Sequence, residues 1–144
     1  MAEVVDAAFE SAARLLRHRD LASADLDRRL ADRGFDEAAR ATAIATLTRT
    51  GVLDDGRFAS DRARALAERG AGDSLIRHDL ATAGIGRELI EIAVGGLESE
   101  SERARRVVAR RGASPRTARY LAAKGYSEDA VYAAVAHADD ERLG

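Results

Sequence analysis

The chain has no cysteine, and that one absence removes disulfides, thiolate zinc sites, iron–sulfur clusters and cysteine nucleophiles together. It fits a reducing compartment. Asparagine and glutamine are missing too, and with them the side-chain amide that pairs with adenine edges, so sequence-specific reading of DNA bases is not expected. Proline occurs once, at Pro115, and aromatic residues make up 4%. No apolar run approaches the ~20 residues of a membrane-spanning helix. Residues Met1 to Glu10 carry Glu3, Asp6 and Glu10 and no base, unlike a secretory signal. These features together predict a cytoplasmic protein with no membrane partner.

What the sequence does contain is helix-forming. Hydrophobic residues make up 46% of 144 positions, mainly Ala, Leu and Val, and 33% are charged. Such a composition favours packed helices over strands and argues against global disorder. The net charge is only −2, but it is unevenly spread. Residues 102–124 hold Arg103, Arg105, Arg106, Arg110, Arg111, Arg116, Arg119 and Lys124 against Glu102 alone, a local balance of +7. Acidic runs flank this stretch on both sides. Lys124 is the only lysine.

The chain repeats itself. Ser23, Leu26, Leu30, Gly34 and Phe35 return as Asp73, Ile76, Leu80, Gly84 and Ile85, then as Ser114, Thr117, Leu121, Gly125 and Tyr126. In each copy the first residue lies seven before the Leu and the Gly four after it. Ser or Asp is an N-cap type, Leu at helical spacing makes an apolar stripe, and Gly followed by an apolar residue ends a helix. Pro115, one past Ser114, suits the first helical position. Further helices are expected before each cap, at Ala8 to His18, Arg57 to Arg69 and Glu102 to Arg111, and another after each Gly. The expected fold is therefore all-α: three tandem three-helix repeats over residues 1–53, 54–98 and 99–144, stacked in an elongated or curved array.

The most distinctive string joins the first repeat to the second: Gly51-Val52-Leu53-Asp54-Asp55-Gly56-Arg57-Phe58-Ala59. Leu53 and Phe58 are apolar anchors around a polar turn. Asp54 or Asp55 suits a cap for the helix beginning near Arg57, and Arg57 is placed to pair with either Asp. With Leu15-Leu16 before Arg19 and the repeated helix ends, this linker closely resembles the RecX family of recombination regulators, well over residues 12–97 and more weakly to about residue 138. The sequence departs from that pattern in three ways: Arg62 stands for an aromatic and Leu66 for a base, the third repeat is short with Thr117 in place of its stripe Leu, and the net charge is slightly acidic where many members are basic. The resemblance implies tandem three-helix repeats that bind the RecA–DNA filament, modulate strand exchange and ATP hydrolysis by inhibition, and perform no catalysis.

Nothing in the sequence supplies an enzymatic site. His18, His78 and His137 are far apart and form no metal-ligand spacing. Lys124-Gly125 does not continue into a phosphate loop, and Gly84-Ile85-Gly86 follows a helix rather than a strand. No cofactor and no metal are expected. The candidate contact residues for a partner or for DNA are Arg103, Arg106, Arg110, Arg116, Arg119 and Lys124, with Asp54, Asp55, Arg57 and Phe58 as the linker motif. Arg103, Arg106 and Arg110 fall on one helical face, which reads either as a solvated surface or as an electrostatic footprint. Three functions follow: a monomeric regulator of the RecA filament, as the resemblance implies, a helical protein that binds single- or double-stranded DNA directly through its phosphates, or a scaffold in which the array is purely structural.

Overall fold

A computed structural model describes residues 2–143. Among them it forms nine helices and no strand: α1 (Ala2–His18), α2 (Ser23–Asp32), α3 (Glu37–Arg49), α4 (Asp55–Glu68), α5 (Asp73–Thr82), α6 (Arg87–Gly95), α7 (Glu100–Arg111), α8 (Pro115–Ala123) and α9 (Glu128–Leu143). They group as three triads, α1–α3, α4–α6 and α7–α9, with the most extensive packing in each triad between its first and third helix. The outer limits of the expected repeats, Met1 and Gly144, lie outside the described residues.

The repeated Leu and Gly positions explain the triads. Leu30, Leu80 and Leu121 have no exposed surface, and burying each such side chain stabilises by ~1.5–3 kcal/mol. Gly34, Gly84 and Gly125 adopt φ of 91°, 87° and 89°. That left-handed turn lets the next amide reach back: Phe35, Ile85 and Tyr126 N–H donate to the carbonyls of Leu30, Leu80 and Leu121 at 3.0–3.2 Å. The apolar residue so placed packs into its own triad. Each triad has its own core, around Leu26, Leu30 and Leu47, around Ile76, Leu80 and Ile90, and around Val108, Leu121 and Tyr126. In the first triad α1 and α3 meet on alanines, Ala8 against Ala39 and Ala43.

The caps differ from the sequence reading in two repeats. Ser114 is an N-cap, its Oγ accepting from Thr117 N–H at 3.2 Å, with Pro115 at the first helical position. Ser23 and Asp73 are instead the first helical residues, preceded by Ala22 and Gly72, and neither helix has a side-chain cap of its own. Those helix starts are buried against the following triad, which supplies the acceptor. The departures from the family pattern at Arg62 and Leu66 also have local explanations. Arg62 bridges α4 to α5 through Asp79 at 2.9 and 3.2 Å, and Leu66 packs against the second core.

Candidate functional site

The two junctions between triads share one construction. Asp54 caps α4, accepting from Arg57 N–H at 3.0 Å. Asp55, next to it, turns back on the first triad, where its Oδ1 accepts from Ser23 N–H at 2.7 Å and its Oδ2 from Ser23 Oγ–H. The positive start of α2 is thus capped from the next triad. Arg57 does not pair with either Asp, as the sequence reading allowed. Its guanidinium donates to the carbonyls of Gly51 and Val52, at 3.2 and 3.0 Å, satisfying acceptors just beyond the end of α3. Phe58 is buried in the second core, in one cluster with Ala22 of the first triad. The linker motif is a joint, and all four of its residues are used within the chain.

At the second junction Ser99 takes the place of Asp54, accepting from Glu102 N–H at 3.1 Å, and Glu100 takes the place of Asp55. Glu100 accepts from Asp73 N–H at 3.0 Å and from Ser127 N–H, so one carboxylate spans the starts of two helices. Burial alone would push the Glu100 carboxyl up. The amides and side chains of Ser127 and Asp73 outweigh it and hold the group below its ordinary range. Counting from Asp55 and Glu100, the counterpart of Phe58 is Arg103.

Arg103 is the one basic candidate that the structure removes from the surface. It is 8% exposed. Its Nη1 donates to the Glu98 carbonyl at 2.9 Å, and its Nη2 to the Ala71 carbonyl at 3.2 Å and to Asp73 Oδ1 at 2.9 Å. The residue shares a helical face with Arg106 and Arg110, but that face is covered at its N-terminal end by the α4–α5 turn. Its charge is therefore neutralised inside the joint.

Arg106 and Arg110 are exposed and line a cleft of about 460 Å³ between α4 and α7. Arg64 joins them from α4, and Ala67, Leu97 and Val107 supply apolar wall. Arg106 pairs with Glu98, and Arg64 with Asp61. Arg110 has no ion-pair partner among the described residues. It also lines an adjoining cleft with Arg69, Arg111 and Tyr120. There the Arg111 guanidinium stacks 3.7 Å above the Tyr120 ring, with Lys124 Nζ 5.9 Å from the same ring. Arg116 and Arg119 are exposed on α8 and line neither cleft.

Three contributors were not visible as site residues in the sequence. Arg64 and Arg69 belong to the second triad, so the basic cleft is built from two repeats and not from residues 102–124 alone. Glu100 read only as part of an acidic flank. Its signal was available: like Asp55, it is an acidic residue directly after a cap at the start of a triad. No helix among the described residues is long and apolar enough to cross a membrane.

The family model described as RecX, second three-helix domain, matches residues 54–94. The regulatory protein RecX of Halorhodospira halophila is 32% identical over 146 residues, covering 94% of this chain and 91% of that protein. The regulatory protein RecX of Stenotrophomonas maltophilia is 32% identical over 137 residues, covering 88% and 84%. Among solved structures, RecX from Lactobacillus salivarius superposes with a TM-score of 0.85 at 16% identity, over 96% of this chain and 99% of that one. A second regulatory protein RecX gives 0.76 at 19%, over 91% and 71%.

Proposed function

The chain belongs to the RecX family of regulatory proteins, and on that premise we propose that it binds the RecA–DNA filament and inhibits strand exchange and ATP hydrolysis. In this reading it acts as a cytoplasmic monomer without catalysis or cofactor. The observation that carries the reading is the basic cleft between the second and third triads, in a chain whose net charge is −2. Arginines gathered in one cleft of a molecule with a slight net negative charge orient its encounter with an anionic assembly. A nucleoprotein filament is such an assembly. Arg106 and Arg110 face solvent at the cleft, with Arg116 and Arg119 on α8 and Lys124 just past its end nearby in sequence. Arg103, Asp54, Asp55, Arg57 and Phe58 serve by setting how the triads sit against one another.

Adding the purified protein to RecA on single-stranded DNA should lower ATP hydrolysis and strand exchange in proportion to its concentration. Unchanged hydrolysis at saturating protein would remove this reading. Direct action on DNA is a second function in play, and it requires binding to bare oligonucleotides with a steep salt dependence.

A further inference from the structure

We propose that the cleft between α4 and α7 receives an acidic peptide segment of the filament protein, not the DNA backbone. Arg64, Arg106 and Arg110 would hold one of its carboxylates while a neighbouring aliphatic or aromatic side chain rests on Ala67, Leu97 and Val107. The inference rests on the filament-binding reading and names which component of the filament fills this site.

Four observations lead there. The cleft is both charged and apolar: Arg64, Arg106, Arg110 and the buried Arg103 line one space of about 460 Å³ together with Ala67, Leu97 and Val107. A site of that volume takes a few side chains. Glu68 and Glu98 also line the cleft. A nucleic-acid strand carries a charge at every phosphate, and its successive phosphates would meet these carboxylates. A single peptide carboxylate can sit between Arg64 and Arg110 and take the place of Glu98 at Arg106.

The arginines are available. Arg110 has no ion pair among the described residues, and the partners of Arg64 and Arg106 are exposed, with side-chain exposures of 62% for both arginines. Exposed pairs of this kind are worth little, so exchanging one carboxylate for another costs little. A guanidinium offers the planar fork that suits a carboxylate.

Two of these arginines are specific to this junction, although the first junction has a cleft of its own lined by Arg19, Arg28 and Arg62. Counting from Asp55 and Glu100, the counterparts of Arg106 and Arg110 on α4 are Asp61 and Ala65. The first junction, built on the same plan, carries no guanidinium at either place. The arginines are therefore not required by the way triads stack.

The test uses the full chain carrying Glu68→p-benzoylphenylalanine, at the exposed rim of the cleft, bound to filaments of RecA on oligo-dT and irradiated. Covalent capture should go to RecA, in a segment that combines Asp or Glu with an aliphatic or aromatic residue, and should fall when Arg64→Glu and Arg110→Glu are added. The same double variant, with helical content unchanged, should bind the filament about tenfold more weakly, while its binding to bare oligo-dT changes by less than about twofold. Capture by DNA, capture by a basic or uncharged RecA segment, or full filament affinity in the double variant would overturn the proposal and leave filament binding standing. If the unaltered protein does not bind the filament, both fall.

Discussion

Asp55 caps a helix to which it does not belong: its carboxylate accepts from the backbone amide of Ser23 at 2.7 Å and from the Ser23 hydroxyl, 32 residues earlier in the chain. Glu100 does the same for Asp73. In the third triad Ser114 caps its own helix beside Pro115. The first two triads thus borrow this cap from the triad that follows, and the third supplies its own.

Asp54 and Asp55 should separate in a denaturation experiment. Asp54→Ala removes a local cap and should cost ~1 kcal/mol. Asp55→Ala strands the Ser23 amide and hydroxyl at the junction and should cost ~1–3 kcal/mol. Only Asp55→Ala should also show coupling with Ser23→Ala, ~0.5–3 kcal/mol in a double-mutant cycle. It should weaken filament inhibition by loosening the angle between triads. Strict additivity of Ser23→Ala with Asp55→Ala would refute the shared cap.

Three glycines should rank by what surrounds them. At Gly34, φ is 91° and an added Cβ would meet nothing within 4 Å, so Gly34→Ala should cost only the left-handed backbone term, ~1 kcal/mol. At Gly125 a Cβ would also come within 2.8 Å of the Leu75 backbone nitrogen. Gly72 has an ordinary φ of −82°, but a Cβ there would lie 2.5 Å from the Gly125 carbonyl carbon and the Tyr126 nitrogen. Gly72→Ala should therefore cost ~1–3 kcal/mol or more from overpacking alone. Urea midpoints in which Gly34→Ala is the worst of the three would contradict this account of the junction.

The Glu100 bridge should give the stability curve an acid limb. Its carboxyl is held below the ordinary range in the folded chain, so on acidification the unfolded chain takes up that proton first. The stability it contributes is complete above the ordinary glutamate value of about 4.3 and is lost as pH falls through the lower folded value. Glu100→Gln should be less stable than the parent at neutral pH, and the gap should narrow in acid. A gap that stays constant from pH 7 to pH 3 would show that the carboxylate charge does not matter there.

Arg103 and Arg110 should behave oppositely although both lie on α7. Arg103→Ala leaves Asp73 facing the joint without its guanidinium and should cost ~1–3 kcal/mol, discounted from a fully buried pair because Asp73 is partly exposed. Arg106→Glu with Arg110→Glu should shift thermal unfolding only slightly, through loss of the exposed Arg106–Glu98 pair. It should slow association with the filament and flatten its salt dependence, because exposed charge acts through long-range attraction screened over ~8–10 Å. If the surface pair destabilises the fold and Arg103→Ala does not, the assignment of roles is reversed.

Much of this protein was legible in one dimension. The spacing of Leu30, Leu80 and Leu121 from Gly34, Gly84 and Gly125 carries the helix ends and the threefold repetition, because apolar stripes and left-handed stops are local features with their own sequence signs. Absence of cysteine and of the amide side chains bounded the chemistry just as directly. The tertiary structure decided which neighbour covers each helix. Helical periodicity places Arg103, Arg106 and Arg110 on one face, yet only the packing of the α4–α5 turn buries Arg103 and leaves the others in solvent. Ser23 and Asp73 look like caps by residue type, and the acceptors that satisfy their amides come from 32 and 27 residues away. Arg64 meets Arg106 and Arg110 for the same reason: a local pattern records the face a side chain occupies, whereas the partner it meets depends on chain-distant contacts that form only when the triads stack.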